Sequence, residues 1–286
     1  MLAIGFTLLL LASIGPQSPI APIAPGSVQN EAALAAEQQA LDARKAGNND
    51  EALAILLQAQ KSSPENPRLL YDLGILEDEM HLYQDADATL AHLQKIDPAN
   101  PSISYAVARV KLDLGQLGPA EENMQAYLKG RPDDASAHYG LGRIYQQGLE
   151  LEKAKAEFER SIALQPVQTE GYYQLGDIAL EQHDYTGAVA DFSKTLERNP
   201  KHGGALAGTG IAYFRQKQYD KAEEFLEKAT KAAPDYQPGH YYLGLTLARL
   251  GKTEKSKREL AIATRLADAD NKAASNRLHL KTPANQ

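Results

Sequence analysis

Arg109 and Arg143 stand 34 residues apart, and each follows a tyrosine (Tyr105, Tyr139) by four positions. Four positions is about one helical turn, so on a helix each guanidinium shares a face with its tyrosine. A planar cation beside an aromatic face can hold an acidic side chain or a chain-terminal carboxylate through paired hydrogen bonds. The same step of 34 carries the tyrosines outward to Tyr71 and Tyr173 and, past Ala207, to Tyr241. Asp177 follows Tyr173 as Arg109 follows Tyr105. Tyrosine offers a flat apolar face and one hydroxyl at low entropic cost, which suits an extended peptide. Tyr71, Tyr105, Arg109, Tyr139, Arg143, Tyr173, Asp177 and Tyr241 are therefore the candidate partner-binding groove. Two other readings stay open: the tyrosines pack between neighbouring helices, and the arginines are spent on internal salt bridges, with Asp113 or Asp177 as partners.

Reaction chemistry finds no such pattern. Cysteine is absent, which excludes disulfides, thiolate metal sites and cysteine nucleophiles. The seven histidines form no HExxH, HxH or paired-carboxylate spacing. His138 and His240 fall where an aromatic residue packs and read as structural. Gly203 to Gly210 (GGALAGTG) is glycine-rich, yet no Lys-Ser or Lys-Thr follows it, so a phosphate-binding loop is not expected. No GxSxG nucleophile elbow occurs. The expectation is a chain that is not an enzyme and uses no cofactor or metal. A net charge of -7 over 286 residues points away from a nucleic-acid partner.

Positioning a ladder of this kind requires elements that recur with the same period. Prolines stand at Pro64, Pro98, Pro132, Pro166, Pro200 and Pro234, each 34 residues after the last. In the stretch Ala135 to Gln168, His138, Leu141, Gly142, Tyr145, Ala154, Phe158 and Pro166 occupy positions 4, 7, 8, 11, 20, 24 and 32 of a 34-residue unit. Only the first departs from the pattern W-x2-L-G-x2-Y…A-x3-F…P. The chain thus resembles the tetratricopeptide repeat family. Position 8 holds Gly or Ala throughout, and position 20 holds Ala until Ser256.

The resemblance implies an all-α, right-handed superhelical solenoid of seven helix-turn-helix repeats, with a C-terminal capping helix. The repeats run 33–66, 67–100, 101–134, 135–168, 169–202, 203–236 and 237–268, within an array spanning 27–268. It also implies a concave groove lined by helix A at positions 2, 5, 9, 12 and 13, which puts the tyrosines at position 5 and Arg109, Arg143 and Asp177 at position 9. The implied function is a non-catalytic scaffold that binds a partner protein or peptide there. The alternative is a regulatory or substrate-recognition subunit of a separate enzyme, such as a glycosyltransferase carried on another chain. Chaperone-binding members of the family use Lys at position 5 and Asn at position 9. Neither occurs here, so that clamp is not expected. Asp78 and Glu79 on one side, and Glu170, Asp177 and Glu181 on the other, flank the arginine pair and suit a partner of alternating charge.

The flanks read differently. Residues 1–26 comprise an apolar run, Leu2 to Ile14, and a proline-rich linker, Pro16 to Gly26. As a helix the run would be about 20 Å long, short of the roughly 30 Å hydrocarbon core. Its length fits the apolar region of a secretory signal, although no Lys or Arg precedes it. Export to a periplasm or the exterior is the expectation, with a cytoplasmic chain as the alternative. An uncleaved segment would tether the N-terminus to a membrane. At the other end, 269–286 reads as a capping helix, Asp270 to Leu280 with Ala273, Ala274 and Leu278 inward, and a disordered tail. Inside the array, Asn66-Pro67 and Asn100-Pro101 mark helix starts, and Gly47, Gly115, Gly148 and Gly251 mark turns.

Overall fold

A computed structural model describes residues 28–280, which form fourteen α-helices. The apolar run, the proline-rich linker and the residues after Leu280 lie outside the described residues. Among the described residues, no helix is long and apolar enough to cross a membrane.

The helices divide into two compact units between Glu150 and Leu151. Unit 1 holds α1 (Val28–Lys45), α2 (Asn49–Ser62), α3 (Pro67–Glu79), α4 (Tyr83–Ile96), α5 (Pro101–Asp113), α6 (Leu117–Gly130) and α7 (Ala135–Gln147). Unit 2 holds α8 (Leu151–Leu164), α9 (Glu170–Glu181), α10 (Tyr185–Arg198), α11 (Gly203–Arg215), α12 (Tyr219–Ala232), α13 (Gln237–Arg249) and α14 (Thr253–Leu280). Within each unit every helix packs on the next, and successive odd-numbered helices (α1, α3, α5, α7; then α9, α11, α13) also touch. The odd helices are helix A of each repeat, so each unit has a continuous layer of A helices.

The helix starts follow from local chemistry. Asn66 accepts from the backbone N–H groups of Arg68 and Leu69, Asn100 from Ser102, and Asp134 from Ser136 and Ala137. Each cap satisfies amides that have no partner in the first helical turn. The core comes in instalments, each built from one helix pair and the helix after it. Ala40, Ala52, Leu56, Leu69 and Leu73 join α1, α2 and α3, and Leu70, Leu90, Leu93, Ile103 and Val107 join α3, α4 and α5. One pair alone could not cover both of its apolar faces, so stacking completes each core.

Position 8 is small because position 24 fills the space beside it. A Cβ on Gly74 would come within 2.7 Å of Leu90, on Gly176 within 2.6 Å of Phe192, on Gly210 within 2.5 Å of Leu226 and on Gly244 within 2.6 Å of Leu260. The position-20 alanines from Ala52 to Ala222 are fully buried. Ser256 keeps the close approach in the last repeat by donating its hydroxyl to the Gly244 carbonyl at 2.7 Å.

The four glycines read as turn markers all lie in turns between helices; Gly47, Gly115 and Gly251 take positive φ there, whereas Gly148 does not (φ -77°). The left-handed residue there is Leu149, at position 15, where His81, His183 and Lys217 also take positive φ. Position 15 is thus left-handed in every repeat, whether or not glycine occupies it. One expectation needs correction: the capping helix is no separate element, since α14 runs unbroken for 28 residues. Asp268 stands where the other repeats carry proline, and no Gly or Pro occurs between Thr253 and Leu280, so nothing stops the helix. The side chains of Ala273, Ala274 and Leu278 lie outside the described residues.

Candidate functional site

In unit 1 the A-helix layer carries alternating charge. Arg44 pairs with Glu79 at 2.5 Å and Arg68 Nε lies 2.6 Å from Glu37 Oε2, the latter an ion pair without hydrogen-bond alignment. Arg109 pairs with Asp78 at 2.8 Å. Asp72 feels both Arg68 and Arg44, and Asp113 feels Arg143 and then Arg109. The expectation of an internal partner for Arg109 therefore holds with a different residue: Asp78 at position 12 of the preceding repeat takes the place foreseen for Asp113. Asp78 is buried at 3% side-chain exposure, whereas Arg109 remains 44% exposed and presents its outer edge to solvent.

Burial dominates the electrostatics of these acids. It pushes the carboxyl of Glu37 up to about 7 and that of Asp78 up to about 6, against the opposing pull of Arg68 and Arg109. Burial raises Asp72 and Asp113 as well. The phenols of Tyr71 and Tyr105 are raised by burial despite the nearby Arg109. Both rings also pack. Tyr71 lies against the Leu70–Leu90 core, and Tyr105 is 5.0 Å from the Tyr127 ring. Tyr127 in turn donates to the helix cap Asp134 at 2.5 Å, and burial pushes its phenol up to about 12. Tyr139 is half-buried on α7, in the same layer.

Unit 2 has a different character. The Tyr173 hydroxyl hydrogen-bonds Asp177, whose carboxyl burial pushes up to about 7, with Glu181 one turn on adding repulsion. Glu181 is raised by burial too. The Tyr173 ring sits 4.8 Å from His202 and 5.8 Å from Phe192. Tyr236, which the sequence reading did not single out, is raised by burial and by Asp177. Tyr241 is 42% exposed and meets Tyr242 edge-on, while Arg215 donates to the Tyr242 hydroxyl at 2.8 Å.

The structure thus brings Tyr71, Tyr105, Arg109 and Arg143 together in unit 1 and pairs Tyr173 with Asp177 in unit 2. Packing and exposure coexist at the tyrosines, since each of Tyr71, Tyr105, Tyr139 and Tyr173 is only half-buried. Glu37, Arg44, Arg68 and Asp72 joined the cluster unannounced. Positions 2, 5 and 12 were the clue, because they share the face of position 9 and hold Arg68, Glu37 and Arg44. His138 and His240 each bond the carbonyl of the proline six residues upstream, at 2.9 Å, which gives them structural work. Among the described residues there is no group of three or more His, Cys, Asp or Glu that could hold a metal ion.

Sequence models described as tetratricopeptide repeat match residues 43–110, 105–169 and 173–237. No curated protein sequence matches the chain. Among solved structures, a tetratricopeptide repeat protein from Parabacteroides merdae matches with a TM-score of 0.67 at 17% identity, over 82% of this chain and 93% of its own. MamA from Desulfovibrio magneticus RS-1 matches at 0.55 and 25% identity, over 60% of this chain and 97% of its own. YrrB, described as a tetratricopeptide repeat protein with an unusual peptide-binding site, matches at 0.50 and 20% identity, over 64% and 95%. The residues matched, together with about seven helix pairs repeating at one period, place this chain in the tetratricopeptide repeat family.

Proposed function

We propose that this protein is an interaction scaffold that docks an extended segment of a partner protein on its A-helix layer, chiefly on unit 1 around Tyr71, Tyr105, Arg109, Tyr139 and Arg143. Tetratricopeptide repeats generally mediate protein–protein interactions, and proteins built from them are typically non-catalytic. The observation that carries the reading is the half-open Arg109–Asp78 pair. Its carboxylate is buried and fixed while its guanidinium keeps an accessible edge beside two half-buried tyrosine rings. A fixed guanidinium with an aromatic neighbour favours an acidic side chain or terminal carboxylate, because little rotamer entropy remains to be lost on binding. Unit 2 adds Tyr173, Asp177 and Tyr241, where acidic character favours basic groups on the partner.

Affinity capture with the wild-type chain and with an Arg109→Glu, Arg143→Glu double variant tests this reading, with circular dichroism to check that the variant keeps its helices. Loss of the captured partners from the folded variant is the expected result. Recovery of the same partners in equal yield would dismiss the A-helix surface as the working one. Export remains part of the proposal, supported by the run Leu2 to Ile14. Mass spectrometry of the mature N-terminus checks it, and an intact Met1 on a chain in the cytoplasmic fraction counts against it.

A further inference from the structure

The second surface lies on the other side of the A helices. Position 11 is two residues beyond position 9, about 200° around the helix, and so faces away from the surface just described. In α5 and α7 the side chain there reaches toward the B helix of the preceding repeat. In α5 the residue is Lys111, whose Nζ lies 2.8 Å from an oxygen of Asp87 on α4. In α7 it is Tyr145, whose hydroxyl donates to Glu121 on α6 at 2.9 Å and accepts from Gln125 on the same helix at 3.2 Å. In α11 it is Tyr213, which turns instead to the B helix of its own repeat, its ring 5.6 Å from Phe225 on α12. In α9 the residue is Ala179.

Alanine leaves that crevice unfilled. A cleft of about 450 Å³ opens between α8, α9 and α10, with Ala179, Leu175 and Ile178 among its lining residues. Lys155 and Glu159 of α8 line one wall and Gly187 of α10 lines the other. Lys155 and Glu159 stand 34 residues after Glu121 and Gln125, the pair that meets the Tyr145 hydroxyl. They offer one donor and one acceptor at the places where the preceding repeat offers an acceptor and a donor to the Tyr145 phenol.

We propose that this crevice binds a tyrosine side chain of a partner, seated as Tyr145 is seated against α6 of the preceding repeat. The internal tyrosine of α7 is the template for the occupant, and the exchange of a carboxylate and an amide for an ammonium and a carboxylate keeps the wall suited to a hydroxyl. The site is independent of the A-helix surface and uses none of its residues. A second anchor on the opposite face would let one partner grip the unit from both sides.

The probe is p-cresol, the tyrosine side chain as a free molecule, titrated into the isotope-labelled full-length chain and followed by amide NMR. Shifts centred on Ala179 and Gly187 are expected, with affinity on the order of millimolar for so few atoms. Ala179→Tyr fills the crevice from within and should weaken p-cresol binding by about tenfold or more. Its melting temperature should be no lower than that of the wild type. Should that variant lose its fold, a Lys155→Ala, Glu159→Ala pair serves instead, and is expected to weaken p-cresol about fivefold while leaving toluene unchanged. Arg143→Glu should leave p-cresol binding intact, which separates this site from the scaffold reading. Shifts confined to other residues, unaltered binding by folded Ala179→Tyr, or toluene binding more tightly than p-cresol would overturn the assignment.

Discussion

Leu149 is a hydrophobic residue at 80% exposure with φ of 60°, a combination with a local cost and no packing return. An L-residue pays roughly 1–2 kcal/mol for the left-handed region, which glycine enters freely, although glycine loses more freedom on folding. Leu149→Gly should therefore raise stability by about 0.5–1 kcal/mol, read as a rise in the thermal midpoint. An unchanged or lower midpoint would mean that Leu149 is held by something other than its turn. His81 and His183 occupy the same turn position with a return of their own, since each ring nitrogen meets the hydroxyl of the tyrosine two residues on, at 2.7 and 3.2 Å. Glu77 is the opposite case, a residue whose burial is costly. It stands at position 11, where two other repeats place tyrosine (Tyr145, Tyr213), is 4% exposed, and has one carboxylate oxygen without a hydrogen-bond partner. Burial, with help from Asp85 and against a hydrogen bond from Thr89, pushes its carboxyl up to about 7. Glu77→Gln should stabilise the chain by about 1–3 kcal/mol at pH 8, where the native carboxyl is ionised. The gain should shrink as pH falls from about 7 to 4.5 and vanish below that, where glutamate is protonated in both states. Chemical denaturation of the variant and the wild type at the two pH values checks this, and a gain independent of pH would rule out the charge as its source.

At the scale of the element, the glycine-rich start of α11 shows what sequence can and cannot specify. Gly203 to Gly210 lacks phosphate-loop chemistry, and the structure supplies another reason for its glycines. A Cβ on Gly203 would lie 2.5 Å from Ala233, on Gly208 2.4 Å from Phe192 and on Gly210 2.5 Å from Leu226. Phe192 is fully buried and cannot withdraw, so Gly208→Ala should cost about 1–3 kcal/mol through overpacking, read by urea denaturation. A neutral result would mean that α10 and α11 slide apart easily. The helices themselves were legible because period, caps and prolines agree at each start. Asn66, Asn100 and the recurring prolines all name the same boundaries. What remained hidden were features that depend on backbone shape alone, such as the left-handed residue falling on Leu149 beside a glycine that does not take it. The merging of the last repeat into one long α14 was also hidden. Its sign is a missing proline at Asp268, and an absence is harder to weigh than a motif.

At the scale of the whole molecule, the candidate surface was legible as a face and less so as a set of partners. Period and helical geometry put Tyr105 beside Arg109, yet they could not choose between Asp78, Asp113 and Asp177 as the arginine's partner. That choice depends on which A helix leans toward which, and on side-chain lengths across repeats. Nor could sequence disclose that the acids would be buried, which has a consequence for the entire chain. Glu37, Glu77 and Asp177 are raised to about 7 and Asp78 to about 6, and Asp72, Asp113 and Glu181 are raised as well. In the unfolded chain these groups ionise near their ordinary values of 3.8 and 4.5. Between those values and about 7 the native state therefore binds more protons than the unfolded state, and stability falls as pH rises. Below about pH 4 both states are protonated and this contribution is at its most favourable, whereas above about pH 8 both are ionised and the loss is complete. Thermal midpoints measured at constant ionic strength should drop from pH 5 to pH 8 by about 5 °C or more, the reverse of a chain stabilised by exposed ion pairs. Glu77→Gln should remove part of that slope and leave the rest to Glu37, Asp78 and Asp177. A midpoint that is flat or rises over this interval would mean that the arginines of unit 1 outweigh burial, and that the carboxylates of the A-helix layer are ionised throughout.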